Sequence, residues 1–292
     1  MKFGKRLKVQ IEQTLPEWRN KFVSYKELKK LVKLTAGEEK RNSKRPRLEH
    51  NDHDPGHGKW EMTRSAEESE FVQLLNAEIE KFNSFFVEQE EEYIIRQKEL
   101  HDRIDKLKTK TGPNGEPLSE KEHEEEMIKL RKDIVNFHGE MVLLENYSAL
   151  NYTGIAKILK KYDKRTGGVL RQPFIQEVLQ QPFFTTELLS NLVKQCEETL
   201  HSLFPEHPLP LPSPELQTTS EPLQQRSQSQ EKIEKIYTST VAALRTMRDI
   251  RKTSSTYSIF SLPPLNIHFH GFADENDNSI PSSSLIPLCP KT

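Results

Sequence analysis

Four lysines within the short segment 151–165 could bind a strongly anionic ligand. On a helix at about 100° per residue their ammonium groups fall within an arc of about 100°. They are Lys157, Lys160, Lys161 and Lys164. Like charges four residues apart on a helix repel, and only Asp163 dilutes the cluster. Such a concentration of one sign favours an anionic partner, and the alternative is a basic face that only contacts water.

A second candidate site combines a phenol with an ammonium group. Tyr25 and Lys29 are four residues apart, so their side chains project side by side from one helix face. The preceding Ser24, with Glu27 three residues later, predicts a capping box at the start of this helix. The helix N-terminus adds free amides and partial positive charge, which suit a phosphate group. The first helix adds three lysines that could extend the same basic surface: Lys2, Lys5 and Lys8.

The elements that would carry these residues are helical. Apolar residues at i, i+4 spacing predict a helix over 2–15, which Pro16 ends or kinks. With the helix that begins at Ser24 it would form an N-terminal helical hairpin. The following residues 35–60 are polar, basic and rich in histidine, and they predict a long flexible loop.

Two long helices should form the body of the bundle. The first is predicted from Ser65 to about residue 110, and the Gly- and Pro-rich stretch 112–117 breaks it. The second begins at Ser119, whose capping box precedes a coiled-coil seam of apolar residues over 127–144. A short connection makes the two helices antiparallel.

Shorter elements complete the predicted all-α fold. Helices are expected at 153–165 and at 185–203, and the second of these should bury Leu188, Leu192, Cys196 and Leu200. Residues 204–230 are rich in Pro, Ser and Gln and predict a linker. A C-terminal amphipathic helix and a short apolar segment occupy 231–265, and we expect this region to dock on the bundle or on a partner. Residues 266–292 predict a disordered tail.

Composition limits the function classes. Of the 292 residues, 34% are hydrophobic and 30% charged, and the net charge of −1 hides strong segregation. Residues 1–34 carry about +7 and residues 61–102 about −8. Two distant cysteines, Cys196 and Cys289, indicate neither a disulfide framework nor a zinc site. We find no apolar run of membrane-spanning length and no catalytic motif, so we expect a soluble, intracellular, non-enzymatic protein.

Four segments together resemble a known family. They are Met1–Lys5 (MKFGK), Leu15–Trp18 (LPEW), Tyr25–Lys30 (YKELKK) and Asn151–Lys164 (NYTGIAKILKKYDK). They are similar to SPX domains, and most of all to the stand-alone SPX proteins of plant phosphate signalling. The resemblance covers residues 1–203, with 35–60 as a loop within the domain.

The resemblance implies a fold, a ligand and a partner. The fold is an N-terminal helical hairpin packed on a bundle with two long antiparallel helices. The ligand is an inositol polyphosphate or pyrophosphate, with no other cofactor or metal. Its phosphate-binding cluster corresponds to Tyr25, Lys29 and Lys161, and an adjoining lysine cluster to Lys157, Lys160 and Lys164, with Lys2 as an extra contact. In the presence of ligand, the plant proteins bind MYB-type phosphate-starvation transcription factors and keep them off DNA.

Other functions remain open from the residues alone. The lysine face could instead contact the backbone of nucleic acid, or the long seam could dimerise as a structural coiled coil. The family reading predicts neither direct nucleic-acid binding nor membrane binding. The basic run 40–47 could direct nuclear import, so we expect the protein in nucleus and cytoplasm. His50, His53 and His57 could suggest a metal site, but a polar loop would not fix its geometry.

Overall fold

The computed structural model describes residues 3–42, 57–109, 118–204, 223–252 and 262, without the side chains of 35–42, 57–68 and 223–232. All regular elements in these ranges are helical, which confirms the predicted all-α fold. A 3-10 helix spans Pro16–Lys21, and the α-helices are α1 (Phe3–Gln13), α2 (Tyr25–Asn42), α3 (His57–Lys108), α4 (Glu120–Thr166), α5 (Arg171–Val178), α6 (Glu187–Leu203) and α7 (Leu223–Lys252). None of the described helices is long and apolar enough to cross a bilayer.

The N-terminal hairpin is anchored on α3. Pro16 lacks an N–H and suits the first turn of the 3-10 helix, so α1 ends before it. The chain then returns, and α2 begins beside the start of α1. Leu7 and Trp18 are buried, and the Trp18 ring meets Phe85 of α3 edge-on at 5.3 Å between centroids.

The two long helices are antiparallel, as predicted. Arg96 Nη1 of α3 lies 2.6 Å from Glu140 Oε2 of α4, and Arg103 Nη1 lies 2.7 Å from Asp133 Oδ2. Residue numbers therefore rise along α3 as they fall along α4. The two ion pairs fix the register of the helices along one side of the bundle.

The central helix α4 is longer than predicted. Its N-terminus has the expected capping box, in which Ser119 Oγ accepts from the Glu122 amide and the Glu122 carboxylate accepts from the Ser119 amide. The separate helix expected at 153–165 was wrong, because α4 runs unbroken through 47 residues. No proline interrupts it, and every residue from 141 to 155 is buried. Neighbouring helices therefore surround its middle and shield its backbone hydrogen bonds.

Helices occupy both ends of the stretch 35–60, which we expected to be a loop. Helix α2 continues to Asn42, and α3 already begins at His57 instead of Ser65. The reason is that polar residues such as Glu and Lys, together with Ala, are also strong helix formers. The remaining residues 43–56, which include most of the predicted basic and histidine loop, lie outside the described residues.

Helices α5 and α6 follow α4. We did not predict α5, which carries Pro173 in its first turn, where proline is tolerated. Helix α6 begins at Glu187, close to the expected position. Its buried stripe consists of Leu189, Leu192, Val193 and Cys196, whereas Leu188, which we expected to be buried, is 43% exposed. Leu192 and Cys196 thus face the core as predicted, and the buried side extends towards Leu189 and Val193 rather than Leu188.

Helix α7 docks on the bundle, which was one of the two expected alternatives; the other was docking on a partner. It begins at Leu223, so the linker expected at 204–230 ends earlier, because Gln and Arg after Pro222 sustain a helix without an apolar period. Ile236, Ala243 and Met247 are buried. Leu262 packs against the core beside them.

Helix α7 also contacts α1. Ser239 Oγ donates to the Gln13 carbonyl at 2.7 Å, and Arg6 Nη2 lies 2.9 Å from Asp249 Oδ2. These contacts show that α1 and α7 run antiparallel. The linker residues 205–222 and the predicted tail at 266–292 lie outside the described residues.

Candidate functional site

The C-terminal third of α4 has the two faces predicted from its sequence. Ile155, Ile158 and Leu159 are fully buried, and Tyr162 is nearly so. The Tyr162 ring stacks on Phe71 of α3 at 4.5 Å with an interplanar angle of 4°. This packing directs the opposite face outward, where Lys157, Lys160 and Lys164 are exposed and Lys161 is half-buried.

Asp163, the one acid among these lysines, has a structural task. Its Oδ1 accepts from the Leu170 amide at 3.0 Å and its Oδ2 from the Arg171 amide at 3.2 Å. The chain reverses between them at Gly167, whose φ of 69° is left-handed and favours glycine. Asp163 therefore caps the first turn of α5, and its carboxylate is directed to amides rather than to the ammonium groups.

Tyr25 and Lys157 both contact one aromatic ring, that of Phe3. The Phe3 ring of α1 contacts Tyr25 of α2 edge-on, with 5.1 Å between centroids. Lys157 Nζ of α4 lies 5.4 Å from the centroid of the same Phe3 ring. A Cβ on Gly4 would lie 3.3 Å from the Tyr25 ring, so α1 and α2 approach closely here. The N-terminal helices α1 and α2 thus converge at this point with α4, which is distant in sequence.

Two side chains of α4 hold the segment before α2. Asn151 Oδ1 accepts from the Val23 amide at 2.9 Å, and Asn151 is fully buried. The Tyr147 hydroxyl donates to the Lys21 carbonyl at 3.1 Å. On one chain segment these contacts precede Tyr25, and on α4 they precede the lysines. From this shared anchor, α2 and α4 therefore run side by side in the same direction.

The start of α2 is capped from α3. The Ser24 amide donates to Glu78 Oε2 at 2.8 Å, so the Ser24–Glu27 capping box is replaced by a carboxylate from another helix. Glu78 is buried and is paired with Lys81 Nζ at 2.8 Å. Lys81 Nζ also donates to the Phe22 carbonyl at 3.1 Å. This partly buried pair holds the residues that lead into Tyr25, and neither Glu78 nor Lys81 stood out in the long acidic helix.

Lys29 and Lys161 lie one helical turn beyond this convergence. Tyr25 and Lys157 share the Phe3 ring, and α2 and α4 run in the same direction from their common anchor. A further turn on each helix, about 6 Å, leads from Tyr25 to Lys29 and from Lys157 to Lys161. Both side chains are half-buried, whereas the remaining lysines of α4 are more exposed. Lys2 lies outside the described residues, and the ligand-binding role of the whole set stays a prediction.

Electrostatics identifies one residue that the sequence did not. Burial, reinforced by the charges of Lys160 and Arg6, lowers the pKa of Lys157 below its ordinary value of 10.5. Arg6 therefore belongs to the same positive field, although no spacing rule connected it with α4. Burial raises the pKa of Tyr25 above its ordinary value of 10.0, so its hydroxyl keeps its proton and can donate to an anion.

No metal site accompanies this surface in the described part of the chain. No group of three or more His, Cys, Asp or Glu residues there could hold an ion. His50 and His53 lie outside the described residues, and only the backbone of His57 is described.

Comparisons with known proteins agree with the resemblance to SPX domains. The SPX domain family model matches residues 1–59 and 113–178. The chain is 53% identical to SPX domain-containing protein 1 of Arabidopsis thaliana, over 92% of this chain and 93% of that protein. It is 48% identical to SPX domain-containing protein 3 of the same plant, over 99% and 100% of the two chains.

A rice relative and a solved structure complete the comparison. SPX domain-containing protein 1 of Oryza sativa subsp. japonica is 52% identical over 91% of this chain and 92% of its own. The solved SPX domain of Chaetomium thermophilum glycerophosphodiester phosphodiesterase 1, in complex with inositol hexakisphosphate, matches 70% of this chain and 99% of its own, with 22% identity and a TM-score of 0.48. By its identity with the plant relatives over nearly its whole length, the chain belongs to the family of SPX domain-containing proteins.

Proposed function

We propose that this protein is a non-enzymatic receptor for inositol polyphosphates, including pyrophosphates, that reports cellular phosphate status. The observation that carries the proposal is the convergence of α1, α2 and α4, where Tyr25 and Lys157 share the Phe3 ring. The proposed ligand residues are Tyr25, Lys29 and Lys161 as a phosphate clamp, with Lys157, Lys160, Lys164 and Lys2 around it.

The chemistry of these groups suits a compact polyanion. An inositol polyphosphate carries many charges on one ring, and ammonium groups from several helices can bind several phosphates at once. Lysine offers three rotatable donors at a point charge. A single orthophosphate would engage fewer of these groups and should bind far more weakly. Burial is the main cause of the lowered pKa of Lys157, and the charges of Lys160 and Arg6 add a positive field that an anion would relieve.

The proposed output is inhibition of a transcription factor. The resemblance to the stand-alone SPX proteins of plants implies that this chain binds MYB-type phosphate-starvation factors when ligand is present. A ligand can shift such an equilibrium only by binding more tightly to the partner-competent state. We therefore propose that the liganded protein acts in the nucleus and cytoplasm by sequestering such a factor from DNA.

Calorimetric titration with inositol hexakisphosphate and with an inositol pyrophosphate tests the ligand. Each hydrogen bond to a charged phosphate contributes about 1.5–3 kcal/mol, or roughly 10- to 150-fold in affinity. Lys29→Ala and Lys161→Ala should each weaken binding within this range, and Tyr25→Phe should fall at its lower end. Lys30→Ala, an exposed lysine about 100° around α2 from Lys29, is the matched control. A folded Tyr25/Lys29/Lys161 triple variant with wild-type affinity would refute the site.

Two further titrations distinguish the rival functions. Duplex DNA binding through about six basic contacts would show a salt dependence with slope near −5 and little preference for sequence. Flotation with vesicles containing phosphoinositides separates a lipid headgroup from the free inositol phosphate. Capture of a MYB-type phosphate-starvation factor, with and without inositol hexakisphosphate, tests the output. Capture that ignores the ligand would refute the gating.

A further inference from the structure

Arg6 of α1 lies at the edge of the lysine surface. It follows Phe3 by three residues, so the two side chains share one face of α1. Phe3 is the ring over which Lys157 Nζ lies at 5.4 Å. The Arg6 charge is also one of the causes that lower the pKa of Lys157. The helix position of Arg6 and its effect on Lys157 both place the guanidinium near the edge of the lysine surface.

The guanidinium of Arg6 is held by a carboxylate from the other end of the chain. Its Nη2 lies 2.9 Å from Asp249 Oδ2 of α7. The Arg6 and Asp249 side chains are 40% and 59% exposed, so water screens this ion pair. A ligand with many phosphates offers more negative charge than one carboxylate. The guanidinium fork also matches phosphate oxygens in a bidentate manner that lysine does not.

We infer that Arg6 is a further binding residue for the polyphosphate, and that Asp249 of α7 competes with the ligand for its guanidinium. This inference rests on the proposed function. When a phosphate replaces the carboxylate, the ligand breaks the contact between α1 and the last turn of α7. Asp249 thereby sets the affinity of the site without touching the ligand.

A double-mutant cycle in the full-length protein, titrated with inositol hexakisphosphate at low ionic strength, tests the inference. Arg6→Gln should weaken binding about tenfold. Asp249→Asn should strengthen it about two- to fivefold, because it releases Arg6. In the Arg6→Gln background, Asp249→Asn should have no effect, since there is no guanidinium left to release.

Two control variants separate this coupling from a general change of charge. Lys8→Gln removes a cation from α1, and Glu12→Gln removes a carboxylate that is 58% exposed, close to the 59% of Asp249. Both should change affinity less than the matching change at Arg6 or Asp249. Circular dichroism melting confirms that the variants fold.

The outcomes distinguish a failure of this inference from a failure of the proposed function. An Arg6→Gln variant with wild-type affinity, beside a Lys29→Ala variant that has lost it, would overturn the inference alone. An equal gain from Asp249→Asn in both backgrounds would also overturn it, because the acid would then act only through its long-range field. Failure of the wild-type protein to bind would overturn the proposed function and the inference with it.

Discussion

Gly154 of α4 lies directly against Val23, the residue that leads into α2. A Cβ at position 154 would come within 2.9 Å of Val23 Cγ1, closer than atoms of this kind pack. The same two segments are joined by the hydrogen bond from the Val23 amide to Asn151. The absence of a side chain at Gly154 therefore sets how closely Tyr25 approaches the lysines of α4.

Gly154→Ala should separate α2 from α4. Alanine is the better helix former by about 1 kcal/mol, but overpacking at a buried contact costs about 1–3 kcal/mol, so we expect a net loss of stability. Affinity for inositol hexakisphosphate should fall as Tyr25 moves. Urea unfolding and calorimetry measure both effects. Adding Val23→Ala should recover part of the affinity, and a Gly154→Ala variant with unchanged stability and affinity would show that the contact has no such role.

Asp163→Ala should destabilise the protein without weakening ligand binding. Loss of the two amide contacts at the start of α5 should cost about 0.5–2 kcal/mol, as for other helix caps. Ligand affinity should stay the same or rise, because a negative charge leaves the lysine surface. Thermal melting and calorimetry on one sample measure both. Asp163→Asn, which keeps an acceptor, is the control, and lower affinity in the Ala variant would contradict this assignment.

Gly139→Ala should loosen α7. A Cβ there would lie 2.8 Å from Ile236 Cγ2 and 2.9 Å from Thr240 Oγ1. We expect faster hydrogen exchange in α7 and, through their mutual contacts, in α1, with stability lower by about 1–3 kcal/mol. Gly154→Ala is the matched control, because it changes the same helix at the α2 contact and should leave α7 protected. Unchanged exchange in α7 would contradict the packing.

Glu145 should make stability depend on pH. Burial raises its pKa to about 7, the nearby Glu197 charge adds to this, and the 3.1 Å hydrogen bond from Ser190 and the Arg251 charge oppose it. An unfolded glutamate titrates near 4.3, so the folded state binds the extra proton between about pH 4.3 and 7. The associated stability, on the order of 3 kcal/mol, is present below this window and is lost as pH rises through it.

Glu145→Gln removes this titration and keeps an acceptor for Ser190. Relative to wild type, the variant should gain stability at pH 8, with the difference shrinking towards pH 4.5. Urea unfolding at several pH values measures this difference. A constant difference across the range would mean that the carboxyl does not titrate in this window.

Ligand affinity should fall steeply with salt. The lysines of α4 are mostly exposed, and attraction through water is screened over about 10 Å at 0.1 M ionic strength. Calorimetric titrations between about 0.05 and about 0.3 M salt should show this, and Lys160→Gln with Lys164→Gln should flatten the dependence. An affinity independent of salt would indicate a dry pocket selected by shape.

The periodicity of α4 was predictable because its two faces differ in residue type: Ile158 and Leu159 are buried and Lys157 and Lys160 exposed. The place of Arg6 was not predictable, since only the packing of α1 beside α7 and the contact of Phe3 with Lys157 bring it to the lysine surface. Local patterns carry no information about such partners.

Helix capping shows the same difference between local patterns, which were predictable, and tertiary contacts, which were not. The Ser119 box involves residues three apart and was predicted correctly. Ser24 obeys the same spacing, yet a buried Glu78 from α3 takes its amide. A spacing rule within one helix cannot predict such a contact with another helix.

The antiparallel contact of α1 with α7 bears on how the protein is made. Arg6 and Asp249 are 243 residues apart in sequence. At about 5–20 residues per second, the ribosome produces α7 on the order of 10 to 50 s after α1. Through that interval α1 lacks α7, and its contacts through Arg6 and the Gln13 carbonyl are not yet made. The lysine surface therefore gains its final neighbour only when synthesis has passed the C-terminal helix.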